Sequence, residues 1–302
     1  LKRVLRRSQS QRTPLPEMPG CCMAAPFSFD AIPPLRPGYK QRTPDFIGLG
    51  APKAGTSWWN SLLLEHPDVH PHRLFDNKSP QDTKELNFFD HFSWRRPDAI
   101  EFDTYRKAFA APKSGICGEW SAYYLGMPLA IERLHKVVPN TKILILVRDP
   151  VSRTISHLNH VTLNRGRSFR LTPAWLQFFS TYSVTPEAFL HSLYEHAIAR
   201  VFRLYGREST LVLQYEKCVA DPQTELKRTY RFLGVDDDFV PENITNEVNR
   251  IEYVVDKPDA QQRRDMADFF VEDANRLAQL CPEIDTGLWP EVFEALNQRQ
   301  LI

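Results

Sequence analysis

The chain has 302 residues, 42% hydrophobic and 25% charged, and its 38 basic and 37 acidic side chains leave a formal charge of +1. That balance suits a soluble globular protein with a sizeable core, and excludes the global polybasic field that gathers nucleic acid. Every apolar run falls short of the roughly 18 residues that a membrane-spanning helix needs. Five cysteines, Cys21, Cys22, Cys117, Cys218 and Cys281, are odd in number and lack metal-type C-x-x-C spacing. They read as reduced thiols, which places the protein in the cytoplasm.

Residues 1–43, basic and then Pro-rich, read as an N-terminal arm, and residues 44–302 as a single domain. "DFIGLG" (45–50) is a short apolar run ending in glycine, and "TSWWNSLLLEHP" (56–67) carries helical periodicity that Pro67 stops. "ICGEW" (116–120) gives a second strand, followed by a helix through "PLAIERLHKVV" (128–138). "KILILV" (142–147) is apolar throughout, as a parallel strand covered on both faces should be. A helix over 151–164 follows Pro150, and a long one is predicted over 186–204. "TLVLQY" (210–215) is another buried-type strand, "PQTELKRTYRFLG" (222–234) a helix closed by Gly234, and 275–290 a closing helix and tail. Strands alternating with helices imply an α/β fold: a parallel sheet flanked by helices.

The joint between the first strand and helix carries chemistry. "GAPKAGTSWWN" (50–60) has the G-x-x-x-x-G spacing of a phosphate-cradling loop, but Thr56 and Ser57 follow Gly55 where a nucleotide triphosphatase has Lys and Ser or Thr. The one lysine, Lys53, lies inside the loop. Such a turn points N–H groups and the positive end of a helix at an anion; the plain alternative is a tight βα turn. In "ILILVRDPVSRTISHLNH" (143–160), Arg148 ends the strongest strand, where open parallel sheets place ligands, and Ser156 follows in the next helix. Arg148 offers a fork for phosphate oxygens; otherwise it pairs with Asp149 or Glu119.

Taken together, "PKAGTSWW" and "RDPVSRTISH" resemble the paired signature of sulfotransferases that use 3′-phosphoadenosine 5′-phosphosulfate (PAPS), especially the glycan or heparan-sulfate-type branch and its bacterial relatives. The likeness runs from residue 45 to about 235 and includes Tyr215–Glu216 after a late strand. It implies a P-loop-like fold, PAPS as sulfuryl donor, no metal, and a hydroxyl acceptor that is a small molecule, lipid or carbohydrate. It implies that Lys53, Ala54, Gly55, Thr56, Ser57 and Trp58 hold the 5′-phosphosulfate, with Lys53 at the leaving group. Arg148 and Ser156 would hold the 3′-phosphate.

"KELNFFD" (84–90) resembles a K-E-x-x-F-F-D stretch of the glycan-type branch whose Glu is the base, which makes Glu85 the candidate. Otherwise Glu85 caps a helix or pairs with Lys84, and the base is a histidine among His66, His70, His72 and His91. "GEWSAYYL" (118–125) matches a G-E-K-T-P-x-Y segment but places Trp120 at the usual lysine. No Lys-Gly-Arg cofactor cap is found; Lys257, Arg263 and Arg264 are the nearest basic residues. "RGRSFR" (165–170) is a basic loop, and the aromatic stretch 172–184 reads as an acceptor lid or as core. Two other functions compete: a P-loop kinase or NTPase, and a non-catalytic nucleotide-binding scaffold.

Overall fold

The structure, a computed structural model, describes residues 32–75, 84–90, 97–164, 186–244 and 258–300. Five strands form one all-parallel sheet, flanked by helices: β2 (Phe46–Gly50), β3 (Val69–Pro71), β5 (Ile116–Trp120), β6 (Lys142–Val147) and β7 (Thr210–Gln214). Their spatial order is β3-β5-β2-β6-β7. Two short strands, β1 (Lys40–Gln41) and β4 (Ala110–Ala111), pair antiparallel beside it. This pairing docks the described end of the expected arm, reinforced by Arg42, which reaches Gly115 O (2.7 Å) and Asp45 (2.5 Å).

The apolar strand at 142–147 is the centre of the core: residues Ile143 to Val147 are fully buried. β2 lies beside it and is buried along its whole length. After β2 the chain adds β3 and then β5 on one side, and crosses over β2 to add β6 and β7 on the other. A crevice therefore opens at the C-terminal end of β2, the usual ligand position in such a sheet. Gly48 permits the inner packing, because a Cβ there would lie 2.1 Å from the Trp120 ring. Trp120, which stands where the resemblance would put a lysine, is thus part of the core and fully buried.

The helices are α1 (Thr56–Glu65), α2 (Ala99–Lys107), α3 (Pro128–Val137), α4 (Pro150–Asn164), α5 (Pro186–Leu190), α6 (Glu195–Tyr205), α7 (Tyr215–Ala220), α8 (Pro222–Leu233), α9 (Ala260–Leu280) and α10 (Pro290–Gln298). The single helix predicted over 186–204 is two. Side chains occupy the backbone groups at the break: Asp273 of α9 accepts the N–H groups of Tyr194 (2.8 Å) and Glu195 (3.3 Å), and the Ser192 hydroxyl donates to Pro150 O (3.1 Å). The helix expected from 275 starts at Ala260, a further helix, α10, follows it, and strands β1, β3 and β4 with helix α2 were not expected. Among the described residues no helix is long and apolar enough to cross a membrane. The basic run 165–170, the aromatic stretch 172–184, His91 and Lys257 lie outside the described residues.

Replacing Gly48 by Ala should destabilise the fold, because neither the strand backbone nor the enclosed indole has room to yield. A loss of about 1–3 kcal/mol is expected from such overpacking, read as a lowered midpoint in chemical denaturation; an unchanged midpoint would show that Trp120 can move.

Candidate active site

The loop 51–55 turns sharply from β2 into α1. Lys53 (φ 68°) and Gly55 (φ 91°) both adopt left-handed backbone, and a Cβ on Gly55 would lie 2.7 Å from the Tyr215 ring. With Gly55 at the N-cap, α1 has no side-chain cap. Its first-turn N–H groups therefore lack the acceptor that a Ser or Asp would supply, and the positive end of the helix is left for an anion.

Four cations surround that helix end. Lys53 rides on the loop itself. Arg148, at the end of β6, donates to Lys53 O (3.2 Å) and lies over the Tyr215 ring, 4.6 Å from its centre. Lys84 is buried and donates to Thr56 Oγ1 (2.9 Å) and Ser57 Oγ (3.2 Å). Arg153, fully buried on α4, donates to Pro52 O (3.0 Å). Burial, then the charges of Lys84, Arg148 and Arg153, lower the Lys53 ammonium from its usual value to about 8, with Glu85 opposing.

Arg148 thus pairs with neither Asp149 nor Glu119. The Asp149 carboxylate accepts from Val151 N (3.0 Å) and Ser152 Oγ (2.7 Å) at the start of α4. Glu216 accepts from Asp149 N (2.8 Å) and the Trp289 indole (3.1 Å), so the Tyr-Glu pair braces the second segment from beneath. Ser156 is half-buried two turns into α4. Trp58 stacks edge-on against Trp59 and Tyr215, and its buried indole N–H has no partner among the described residues.

Glu85 sits beside this cluster, partly exposed, and accepts an ion pair from Lys84 (2.8 Å). One ammonium therefore touches both the carboxylate and the two loop hydroxyls. Because Thr56 and Ser57 accept from Lys84, their own O–H protons are free to point elsewhere. The segment 84–89 is anchored to the end of β5: Trp120 N donates to Lys84 O (2.8 Å), Asn87 N to Ser121 Oγ (2.9 Å), and Leu86 N to Glu119 (3.1 Å). Glu119 is buried and also accepts from Tyr105 (2.6 Å) and Ser121 (2.5 Å). Burial outweighs those hydrogen bonds and raises its pKa to about 7, and the same cause raises Asp90 to about 7.

The other candidates are committed elsewhere. Buried His66 bonds Asp236 O (3.0 Å) and accepts from Asp68 N (3.0 Å), His70 bonds Tyr39 (3.2 Å), and His72 is buried against Phe109. Arg263 pairs with Glu291, and Arg264 bonds Gln261 (2.7 Å). Sequence reasoning missed Arg153, and noticed Glu119 and Lys84 only as possible partners of other residues.

The site geometry agrees with the family comparison. A model of the sulfotransferase family matches residues 44–239, and the chain belongs to that family of enzymes. It is similar to human bifunctional heparan sulfate N-deacetylase/N-sulfotransferase 3, 26% identical over 210 residues, which are 64% of this chain and 22% of the relative. It is similar also to human heparan sulfate glucosamine 3-O-sulfotransferase 5, 24% identical over 65% of this chain and 54% of the relative. The chain thus spans about half, or less, of these relatives. A solved sulfotransferase from Alicyclobacillus acidocaldarius superposes with a TM-score of 0.61 at 26% identity, covering 81% of this chain and 98% of that one.

Removing the hydroxyl of Ser121 should strip a donor from buried Glu119 and an acceptor from Asn87 N at once. Ser121→Ala is expected to cost about 1–3 kcal/mol, measured by denaturant unfolding. No loss would mean that the anchor of residues 84–89 lies elsewhere.

Proposed function

We propose that this chain transfers the sulfuryl group of PAPS to a hydroxyl, releasing 3′-phosphoadenosine 5′-phosphate (PAP) and a sulfate ester. The observation that carries the reading is the uncapped start of α1, ringed by cations, with a carboxylate held to the same loop through Lys84. PAPS would supply a sulfuryl group on a phosphate leaving group. The loop N–H groups of residues 54–58 and the hydroxyls of Thr56 and Ser57 suit its 5′ end, and Arg148 and Ser156 suit its 3′-phosphate. Lys53 neutralises charge that grows on the departing phosphate, so its effect belongs to the transition state. Glu85 takes the acceptor's proton.

The carbohydrate acceptors named for the relatives favour a carbohydrate hydroxyl here, with lipid and small-molecule alcohols as the other classes. The buried thiols Cys117, Cys218 and Cys281 support a cytoplasmic site of action. A kinase or NTPase is disfavoured by Thr56 at the Walker lysine position. Lys84 does not replace that lysine, since its ammonium is already shared between two hydroxyls and Glu85. The direct test is PAP release from PAPS across a panel of carbohydrate, lipid and small alcohols. PAP release with none of them would leave the scaffold reading.

Glu85→Gln keeps size and most hydrogen bonding but cannot accept a proton. Turnover should fall by roughly 10²–10⁴ with PAP affinity near wild type; near-normal turnover would remove Glu85 as base. Arg148→Ala should weaken PAP by about 1.5–3 kcal/mol while adenosine 5′-phosphosulfate, lacking the 3′-phosphate, is little affected. Equal weakening of the two would place Arg148 in the fold or at the 5′ end.

Lys53 also sets a pH dependence. Its folded pKa of about 8 lies below the unfolded 10.5, so kcat/KM should fall above about pH 8 as the free enzyme loses that charge. Over the same window the folded state binds fewer protons than the unfolded, and this group's contribution to stability rises with pH. A falling rate is then not caused by this group's effect on stability. Lys53→Arg should move the alkaline limb upward, because guanidinium stays charged; an unmoved limb would assign it to another group.

A further inference from the structure

Arg153 has a relative exposure of 0%, and every one of its partners is neutral. Its Nε donates to Ser192 Oγ (2.5 Å), one terminal nitrogen to Pro52 O (3.0 Å) and to His157 Nδ1 (3.3 Å), and the other to Ala188 O. Burial, then the charge of Arg153, hold His157 well below its usual pKa, so the imidazole is a neutral acceptor. Among the described residues no carboxylate forms an ion pair with Arg153. Glu187 is the acidic side chain that most influences it after two tyrosines, and its own side chain is 56% exposed. Burial lowers the Arg153 pKa only to about 10, so the guanidinium stays charged at neutral pH.

A buried charge is normally paired, because desolvation is otherwise uncompensated. Here the unpaired charge lies directly beneath the loop that the proposed donor would occupy, on the carbonyl of the residue before Lys53. We infer that Arg153 is a positioning residue of the donor site: its guanidinium ties the loop at Pro52 to the turn after α5, and the anion held in the loop is its missing counter-charge. This rests on the donor reading above. Arg153 thus acts through the field at the loop rather than by touching the reacting atoms. Of these partners, Ala188 belongs to α5 and Ser192 to the four-residue break before α6.

The charge and the tether are separable. Arg153→Gln keeps a hydrogen-bond donor but loses the charge, and Arg153→Lys keeps the charge with fewer donors. Calorimetric titration would compare PAP with adenosine 3′-monophosphate, which lacks the 5′-phosphate that sits in the loop. In the Gln variant PAP should weaken roughly tenfold or more with adenosine 3′-monophosphate within about twofold. In the Lys variant PAP should stay within about threefold of wild type. Equal losses of the two ligands, or a Lys variant no better than Gln, would reduce Arg153 to a structural strut and overturn the inference. If the Gln variant does not fold, the Lys variant decides alone, since a lost preference for PAP there also overturns it. A wild-type protein that fails to bind PAP would overturn the donor reading itself, and is told apart by the parent titration.

Discussion

Repulsion among Lys53, Lys84, Arg148 and Arg153 is the constraint on which the rest of the site depends. Four cations converge on one helix end that already carries a partial positive charge, and among the described residues Glu85, paired to Lys84, offsets them directly. Burial, and after it the neighbouring charges of Lys84, Arg148 and Arg153, depress the Lys53 ammonium. Such a cluster destabilises the free protein and is held by everything around it: Tyr215 under Arg148, loop hydroxyls on Lys84, carbonyls and a neutral imidazole on Arg153. A polyanion bound at this helix end would offset the mutual repulsion of these cations.

The second support is the end of β5. Among the described residues Glu119 has three donors and no cation, so it serves as a hydrogen-bonding hub that fixes Leu86 and, through Ser121, Asn87. That hub sets where Lys84 and Glu85 stand relative to the loop. Thr56 and Glu85 come from segments some thirty residues apart, yet one ammonium, that of Lys84, touches both. A shift of either segment would change the distance between Glu85 and the start of α1, and in the proposed transfer that distance governs the rate.

Much of this was legible in the sequence. The apolar run 142–147 declared a doubly covered parallel strand, and the glycine spacing marked the tight turn from β2 into α1, because both signals are local. Glu85 beside Lys84 was readable as an ion pair. Arg153 was not, since nothing local says that Ala188 and Ser192, more than thirty residues on, will fold back over it. The break at 191–194 was hidden for the same reason: it is imposed by Asp273 and Ser192 rather than by a Pro or Gly. Trp120 was noticed as a departure from the family pattern, but its place in the core depends on Gly48 in another strand.

The central claim is that this helix end and its cations are built for a 3′-phosphorylated adenosine donor rather than a nucleoside triphosphate. Thermal unfolding followed with PAP, ADP, AMP and Mg²⁺-ATP tests it most directly. The account predicts the largest stabilisation by PAP, with ADP and AMP well behind and no gain from Mg²⁺. Equal or greater stabilisation by Mg²⁺-ATP would contradict it.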